Sequence, residues 1–330
     1  MKKFKKRIVF IMIFVMMSMT VMLATACNNN QEPIYTSEGL QFTQMVVQGV
    51  TGYSVTRGTA THTHILIPEI YNDLPVVQVG AYSFYGFTEL KSVRIAANVR
   101  NIGLSAFQNT PNLKNVTFLE GSQLTNITGR SFWNSGITEM VVPRGVNRIG
   151  GNAFRNAHDF SSITFVQDAA INDFGWSVFL GTRITNITIP QNVTIIRQSM
   201  FVGTRLTSMT IPQGVTTIEN NAFSGVTSLK EVHIAEHSSL EYIGTRAFLN
   251  LNISSIHIPV SVSQIRDNAF WATSLTRVYY GGTNQEQWDA IDIEVFNDPL
   301  INATKYFYST TQPADQGNFW RFVDGVPTAW

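Results

Sequence analysis

Cysteine and charge are both scarce in this sequence of 330 residues. It contains one cysteine, and charged residues make up 14% of it, against about 25% in an average globular domain. A single cysteine excludes a disulfide scaffold and any zinc or iron–sulfur site built from clustered cysteines. Five of the 23 basic residues lie in the first seven positions, which leaves 18 basic against 22 acidic residues in the remainder. This remainder lacks the basic excess that holds a nucleic-acid backbone.

The amino terminus has the pattern of a bacterial export signal over residues 1–26. A Lys/Arg-rich start is followed by an apolar run from Ile8 to Leu23 and then by small residues. Cys27 follows directly, and this boundary resembles the lipobox of bacterial lipoproteins, whose cysteine is acylated and becomes the first residue of the mature chain. The lipobox leucine lies three positions before that cysteine, whereas here Ala24 takes that position and Leu23 lies one residue earlier. The resemblance implies that Cys27 carries a lipid anchor.

Two other ways of processing this terminus are also compatible with the sequence. Cleavage after Ala26 alone would secrete the chain, and an uncleaved apolar run would approach the length of about 20 residues that a membrane-spanning helix needs. All three interpretations place residues 28–330 outside the cytoplasmic membrane. Residues 27–39 are short and polar, which predicts a tether between the anchor and the first folded element.

The dominant feature of the sequence is an internal repeat marked by phenylalanine. Nine phenylalanines recur at intervals of 22, 23 or 25 residues: Phe84, Phe107, Phe132, Phe154, Phe179, Phe201, Phe223, Phe248 and Phe270. Each follows an apolar residue by five positions: Val79, Ile102, Ile127, Ile149, Phe174, Ile196, Ile218, Ile243 and Ile265. After each phenylalanine comes an apolar-x-apolar triplet, such as Ile187-Thr188-Ile189, which a proline follows in several repeats. A fixed period of this length is the mark of a solenoid.

Each repeat predicts one coil of that solenoid. The triplet is a short strand that buries two residues and exposes one, and a following proline ends it by removing a backbone donor. Small or polar residues before each phenylalanine suit one short helical turn. The second residue after it is Gly or Asn in eight of nine repeats, as a left-handed cap requires. We therefore predict a mostly β, right-handed stack of 22–25-residue coils, each with one short parallel strand and one short helical turn.

Three coils of the predicted stack are longer than the others, and the segments at its two ends differ from the repeat. The coils that start at Ile102, Ile149 and Ile218 have 25 residues, and their longer turns should emerge as bumps on one edge. Alternation over residues 40–58 predicts a hairpin, and the carboxyl end predicts a helix from Asn284 to Ile291 and an aromatic hairpin. The predicted segments are 1–26 (signal), 27–39 (tether), 40–78 (amino-terminal cap hairpin and degenerate first coil), 79–280 (repeat solenoid) and 281–330 (carboxyl-terminal cap).

Coils such as IRQSMFVGTRLTSMTIPQGVTTI (196–218) resemble the BspA-like leucine-rich repeats of bacterial surface proteins. The resemblance covers about residues 65–280, and residues 279–291 and 318–330 are similar to the terminal segments of such proteins. It differs from the ordinary leucine-rich repeat, which has the pattern L-x-x-L-x-L-x-x-N. The resemblance implies attachment to host proteins or other cells, recognition by Toll-like receptors and no enzymatic activity. It assigns no binding residues.

Motifs of enzymes and cofactor sites are missing from the sequence. No Walker loop, H-E-x-x-H or G-x-S-x-G motif occurs, so we predict no catalysis, no cofactor and no metal. His62 and His64 alternate on a predicted strand, but a solvated strand face explains them better than a metal site. Asp292 and Glu294 are likewise best explained as solvated surface. The tail residues Trp320 and Trp330 are compatible with a sugar-binding platform, as a minor alternative.

The best candidate for a binding surface is the column of outward-pointing residues in the triplets, which we call the strand face. It comprises Arg94, Thr117, Val141, Thr164, Thr188, Thr210, His233, His257 and Tyr279. One interpretation is an ordinary β-branched surface. The other is a flat binding face of low charge, with Thr188, Thr210, His233, His257 and Tyr279 as ligand-binding residues. The two histidines would then lie side by side on adjacent coils and protonate together near pH 6.

The sequence thus predicts a lipid-anchored surface solenoid that mediates adhesion to an extracellular protein or glycan of a host or neighbouring cell. It is expected to be monomeric, to bind no nucleic acid and to contact the membrane through its lipid. Two alternatives are a non-catalytic accessory subunit that captures substrates for an extracellular enzyme system and a passive surface-coat protein.

Overall fold

The computed structural model of the protein describes residues 33–314 and 317–330. Ile34 to Trp330 form one compact unit. The predicted signal segment and the predicted lipid attachment site at Cys27 lie outside the described residues. Within them no helix has the length and apolar character that crossing a membrane requires.

The fold is the predicted mostly β solenoid, with very little helix. In chain order its elements are β1 (Gln41–Val47), β2 (Val50–Thr56), β3 (His64–Ile67), β4 (Ile70–Tyr71), β5 (Leu74–Val79), β6 (Ser92–Ile95), β7 (Asn101–Ile102), β8 (Asn115–Phe118), β9 (Asn126–Ile127), β10 (Glu139–Val142), β11 (Arg148–Ile149), β12 (Ser162–Phe165), β13 (Asp173–Phe174), β14 (Ile195–Ile196), β15 (Ser208–Ile211), β16 (Thr217–Ile218), β17 (Glu231–Ile234), β18 (Tyr242–Ile243), β19 (Ser255–Ile258), β20 (Gln264–Ile265), β21 (Arg277–Tyr280), α1 (Gln285–Asp289), β22 (Asp292–Ile293), α2 (Asp298–Asn302), β23 (Thr304–Tyr308), β24 (Phe319–Val323) and β25 (Val326–Ala329).

Most coils contribute two strands rather than the single one predicted. The triplets form the four-residue strands, which pair in parallel as β3-β6-β8, β10-β12, β15-β17 and β19-β21. The five-residue strand β23 pairs in parallel with β21. The isoleucine five residues before each phenylalanine ends a second strand of two residues in most coils. These pair in parallel as β5-β7-β9-β11-β13 and as β14-β16-β18-β20-β22. Such a strand is too short for its residue pattern to predict, and stacking against the neighbouring coils creates it.

The nine phenylalanines form the predicted core column, and all of them are fully buried. Phe84 and Phe107 stack with ring centroids 5.2 Å apart, and Phe223 and Phe248 stack at 5.5 Å with an interplanar angle of 2°. Each coil thus places its ring against the rings of the coils before and after it. A ring of this size contributes about 1.5–3 kcal/mol through its burial, which explains why the period is built on phenylalanine.

The four-residue strands form one side of each coil and the two-residue strands form a second. The third side, which contains the core phenylalanine and which we call the turn side, is a run of turns and not the predicted helical turn. The residue two positions after each phenylalanine is left-handed as expected, including Ala272 at φ 55°. The residue two positions before is also left-handed in all nine coils, as with Ser105 at φ 54° and Arg130 at φ 58°. The left-handed residues on both sides of each phenylalanine turn the backbone N–H and C=O groups toward the neighbouring coils. The N–H of Phe84 therefore donates to the carbonyl of Ala106, and equivalent bonds continue along the array.

Both ends of the array depart from the predicted boundaries. At the amino end, Thr36 pairs with Ile65 of β3 and the Tyr35 ring lies under Arg94, so the tether predicted for 27–39 stops short of these residues. The hairpin β1–β2 continues the two-residue ladder through β5. At the carboxyl end, β23 pairs in parallel with β21, so the array extends past residue 280, where the sequence placed its end. The coil that follows β21 is irregular and contains α1 and α2.

The two-residue ladder is interrupted once, between β13 and β14. In neighbouring coils a backbone N–H donates across this position, as from Gly175 to Ile149. At the interruption the side-chain Nε of Arg197 donates to the carbonyl of Phe174 instead. The same guanidinium pairs with Asp173 at 2.9 Å and with Glu219 at 3.1 Å. Burial lowers the pKa of Arg197, but the hydrogen bonds from its guanidinium to Asp173 and Glu219, together with the negative charges of these carboxylates, raise that pKa overall.

Candidate functional site

The strand face carries the residues predicted to bind a ligand, and the structure divides them into two groups. Thr188 and Thr210 are exposed, and His233 is partly exposed with its Nε2 3.2 Å from the carboxylate of Glu231. His257 and Tyr279 are buried, at 5% and 7% exposure. Their predicted outward position in the strand is right, but the outer side of the strand is covered at this end of the array.

The cover is the aromatic hairpin β24–β25. β24 pairs with β23 at two positions only, Phe307 with Phe319 and Tyr308 with Trp320. It also reaches the outer side of the strands, where the Trp320 ring lies 5.1 Å from His257 and 5.7 Å from Tyr279. Because Trp320 is fully buried, it is unavailable as the sugar-binding platform considered above.

The predicted pairing of His233 with His257 is wrong in its electrostatic consequence. Burial lowers the pKa of His257 to about 4, although a hydrogen bond from its Nδ1 to the Ile234 carbonyl acts in the opposite direction. The strands β17 and β19 that carry the two histidines belong to different sheets. His257 therefore stays neutral near pH 6, so the two rings do not protonate together there.

The exposed part of the strand face is interrupted by clefts at the long coils. The four-residue strands lose their ladder pairing directly after β8, β12 and β17, which are the strands of the three 25-residue coils. The extra turn residues after these strands line the clefts. The sequence predicts bumps at these places, whereas the structure has openings beside them, because the longer turn separates one coil from the next.

The first cleft lies between β8 and β10 and has a volume of about 640 Å³. Val116, Phe118 and Met140 supply apolar groups from the inner side of these strands, and Val141 is 61% exposed at the outer side. Phe118 stands where neighbouring coils have a fully buried aliphatic residue, and it is only partly buried. The charged residues of the lining are Glu139 and Arg144, which have opposite sign.

The second cleft lies between β12 and residues 186–192 and has a volume of about 500 Å³. Phe165 and Ile187 are its partly buried apolar residues, while Thr164 and Thr188 add hydroxyl groups from the strand face. The triplet around Thr188 was predicted as a strand, but it has no ladder partner in the structure. This cleft therefore contains one of the five residues predicted to bind a ligand.

The third cleft follows β17 and has a volume of about 140 Å³. His257, Trp320 and Phe322 line it. The aromatic hairpin thus forms part of the wall of this cleft.

The minor candidate sites of the sequence have structural explanations. His62 lies 3.8 Å from Glu38, and the Nδ1 of His64 is 2.6 Å from the hydroxyl oxygen of Ser92. Asp292 and Glu294 both pair with the guanidinium of Arg266, at 3.8 Å and 2.7 Å. In the described part of the chain no group of three or more His, Cys, Asp or Glu side chains is placed to hold a metal ion. The first two clefts combine apolar surface, hydroxyl groups and unpaired strand edges.

Comparisons with known proteins support the repeat assignment. A family model described as BspA type leucine rich repeat region, in six copies, matches residues 77–206 and 194–310. The pneumococcal vaccine antigen PcpA has a similar structure, with a TM-score of 0.52, 18% identity and coverage of 81% of this chain and 67% of that protein. At that identity the likeness shows the fold alone. A search of curated proteins finds no match.

Two further solved structures are more distant. The leucine-rich repeat protein TpLRR of T. pallidum is 21% identical, covers 63% of this chain and 85% of its own, and has a TM-score of 0.45. A leucine-rich cell-surface protein of Faecalibacterium prausnitzii A2-165 is 22% identical, covers 79% of this chain and 98% of its own, and has a TM-score of 0.38. The matching family model describes a repeat region and indicates no enzyme family.

Proposed function

The chain belongs to the BspA-type leucine-rich repeat family, and we propose that it is a cell-surface binding protein that mediates adhesion through its strand face. The partner is an extracellular protein or glycan of a host or neighbouring cell. The observation that carries this proposal is the pair of open clefts on the strand face, at about 640 Å³ and 500 Å³. They have apolar walls and few charged residues, and they lie in an array whose core is fully buried.

The placement on the cell surface is part of the same proposal. The export signal and Cys27 favour a lipid anchor outside the cytoplasmic membrane, with the solenoid projecting beyond it. Two acyl chains on this cysteine would hold the protein stably, whereas one chain would give marginal binding. The described residues then act as a scaffold that presents the strand face, and Thr188 and Thr210 remain the accessible members of the predicted ligand-binding set.

Adhesion of cells that display the full chain tests the proposal. Cells carrying the wild-type protein should adhere to at least one immobilised extracellular protein or glycan from a panel of fibronectin, collagen, laminin, mucin and purified glycans. Val141→Arg introduces a charge at an exposed position of the first cleft and should reduce adhesion without unfolding the array. Equal adhesion of displaying and non-displaying cells across the panel would favour the alternative of a passive coat protein.

A further inference from the structure

The carboxyl-terminal hairpin shows how this protein's own strand face holds a polypeptide. Trp320 donates from its indole Nε1 to the Tyr280 carbonyl at 2.7 Å, and its ring packs 5.1 Å from His257. Phe322 also packs 5.1 Å from His257 and 4.8 Å from Trp320. These two aromatic residues are two positions apart on one strand, so that both point toward the same surface. The contact is therefore that of an extended segment with aromatic side chains at alternate positions.

The same hairpin lines the smallest of the three clefts. All three follow the strand of a 25-residue coil, yet the cleft at the hairpin measures about 140 Å³ and the others about 640 Å³ and 500 Å³. Trp320 and Phe322 are part of the lining of the small cleft. The chain thus places its own aromatic segment beside one of these clefts, and no such segment lines the other two.

The two open clefts offer the features that such a segment needs. Phe118 and Phe165 provide partly exposed aromatic walls, at equivalent positions of two long coils. The strands β8 and β10 face the first cleft, and each has a ladder partner on its other side but none across the cleft. Unpaired strand edges bind extended peptides through main-chain hydrogen bonds, while pockets between them receive alternate side chains.

The charges of the clefts argue against polyanionic ligands. The first cleft has one acidic and one basic residue, Glu139 and Arg144, and the second has Asp168 as its charged residue. Neither has the basic cluster that a polyanion such as an acidic glycan or a nucleic acid requires. Apolar walls beside unpaired backbone edges instead match a chain with its own backbone donors and acceptors and with apolar side chains.

We propose that the two open clefts bind an extended segment of a partner polypeptide that carries aromatic side chains at alternate positions. The mode is that of Trp320 and Phe322 on His257, with the partner's strand placed along an edge of β8 or β10 in the first cleft and beside β12 in the second. This inference rests on the proposed adhesive function and specifies its partner as a protein.

A peptide copied from the hairpin is the probe. The blocked hexapeptide Asn-Phe-Trp-Arg-Phe-Val has the sequence of residues 318–323, and a matched peptide replaces its Trp and second Phe by Ala. Titration into the detergent-solubilised full chain, followed by calorimetry, should show saturable binding of the aromatic peptide. The matched peptide should bind at least tenfold more weakly. Absence of saturable binding, or equal binding of both peptides, would overturn the proposal.

Three arginine variants locate the binding. Val141→Arg blocks the first cleft and Thr188→Arg the second, so the double variant should lose binding at least tenfold. Ser208→Arg is the matched control, because Ser208 is exposed on a strand that is paired with its neighbour and lines neither of these clefts. It should bind like the wild type. Peptide binding that survives in the double variant would overturn the proposal, as would self-association of the chain that the peptide displaces, since the occupant would then be a second copy.

Cell adhesion separates this inference from the proposed function. If cells displaying the Val141→Arg/Thr188→Arg variant adhere as well as the wild type, the protein is still a surface adhesin, but the clefts are not its binding site. If the wild type binds the peptide but mediates no adhesion, the clefts bind polypeptide and the adhesive role is wrong.

Discussion

The backbone N–H of Phe270 donates to the side-chain Oδ1 of Asn297 at 3.0 Å, across 27 residues of sequence. Each earlier phenylalanine of the core column donates instead to a backbone carbonyl of the next coil, as Phe248 does to Ala269. The Nδ2 of Asn297 donates to the carbonyls of Arg266 and Glu294. This buried side chain therefore takes the place of a further coil and ends the hydrogen-bond series of the turn side.

Replacement of Asn297 by alanine should expose this end of the array to fraying. The change leaves the buried N–H of Phe270 and two carbonyls without their partner, which should cost about 2–3 kcal/mol in the free energy of unfolding. Asn297→Asp keeps an acceptor for the Phe270 N–H, but it loses the donor and buries a carboxylate against two carbonyl oxygens, so it should be at least as destabilising. Urea denaturation measures both, with the exposed Asn302→Ala as the control. An unchanged midpoint for Asn297→Ala would show that the cap is dispensable.

Phe201 should be one of the residues on which the stability of the array depends most. It is fully buried and stacks on Phe179 at 5.8 Å and on Phe223 at 5.2 Å. Phe201→Ala should cost about 3–5 kcal/mol through the cavity that it leaves. Because each coil contacts its neighbours, hydrogen exchange should also quicken in the adjacent coils. The exposed Thr210→Ala serves as the control, and a Phe201→Ala melting curve that matches it would contradict the assigned register.

Arg197 should hold the two parts of the two-residue ladder together. Its guanidinium is about a third exposed, so the ion pairs with Asp173 and Glu219 contribute modestly. The bond from Nε to the Phe174 carbonyl adds to them, and Arg197→Ala should cost about 1–2 kcal/mol in total. Arg197→Lys retains the charge but loses that bond and should recover part of the loss. Thermal denaturation measures both against the exposed Arg205→Ala; full recovery by lysine would assign the effect to charge alone.

The hairpin should loosen in acid because of His257. Its pKa is about 4 in the folded chain against an ordinary value of 6.5, so the unfolded state binds the proton more readily. Above about pH 6.5 the titration of His257 does not reduce the free energy of unfolding. As the pH falls toward 4 the unfolded state takes up the proton, and the free energy of unfolding falls by up to about 3 kcal/mol. Glu236 and His237 also line this cleft. Hydrogen-exchange protection factors of β24, which correct for the pH dependence of the intrinsic rate, should be lower at pH 5 than at pH 7.5 in the wild type, with a smaller difference in His257→Leu. Equal changes in the two proteins would assign the acid sensitivity to other groups.

Cys27 should carry the lipid that retains the protein on the cell. Mass spectrometry of the mature amino terminus should show an acylated cysteine as the first residue, and Cys27→Ser should release the chain into the medium. Ala24→Leu, which restores the lipobox leucine, should leave processing intact or improve it. A free thiol at Cys27 in the mature protein would contradict the anchor and favour simple secretion.

Residue types alone specified the repeat and its core. The recurrence of phenylalanine with an apolar residue five positions before it predicts the buried column, because no other arrangement of coils hides nine rings at one period. The Gly or Asn two positions after Phe107 or Phe179 likewise predicts left-handed backbone there, since these residue types tolerate it. Local chemistry and period were sufficient for these features.

Tertiary contacts decided the rest. The left-handed residues two positions before the phenylalanines include Tyr82 and Arg130, whose types give no sign of it. They adopt this conformation because it turns the backbone toward hydrogen bonds in the next coil. The 25-residue spacing was visible in the sequence, but whether a longer turn swells outward or separates two strands depends on how the neighbouring coils pack. The burial of His257 depends in the same way on Trp320, which lies far from it in sequence and meets it only when the hairpin folds onto the strand face.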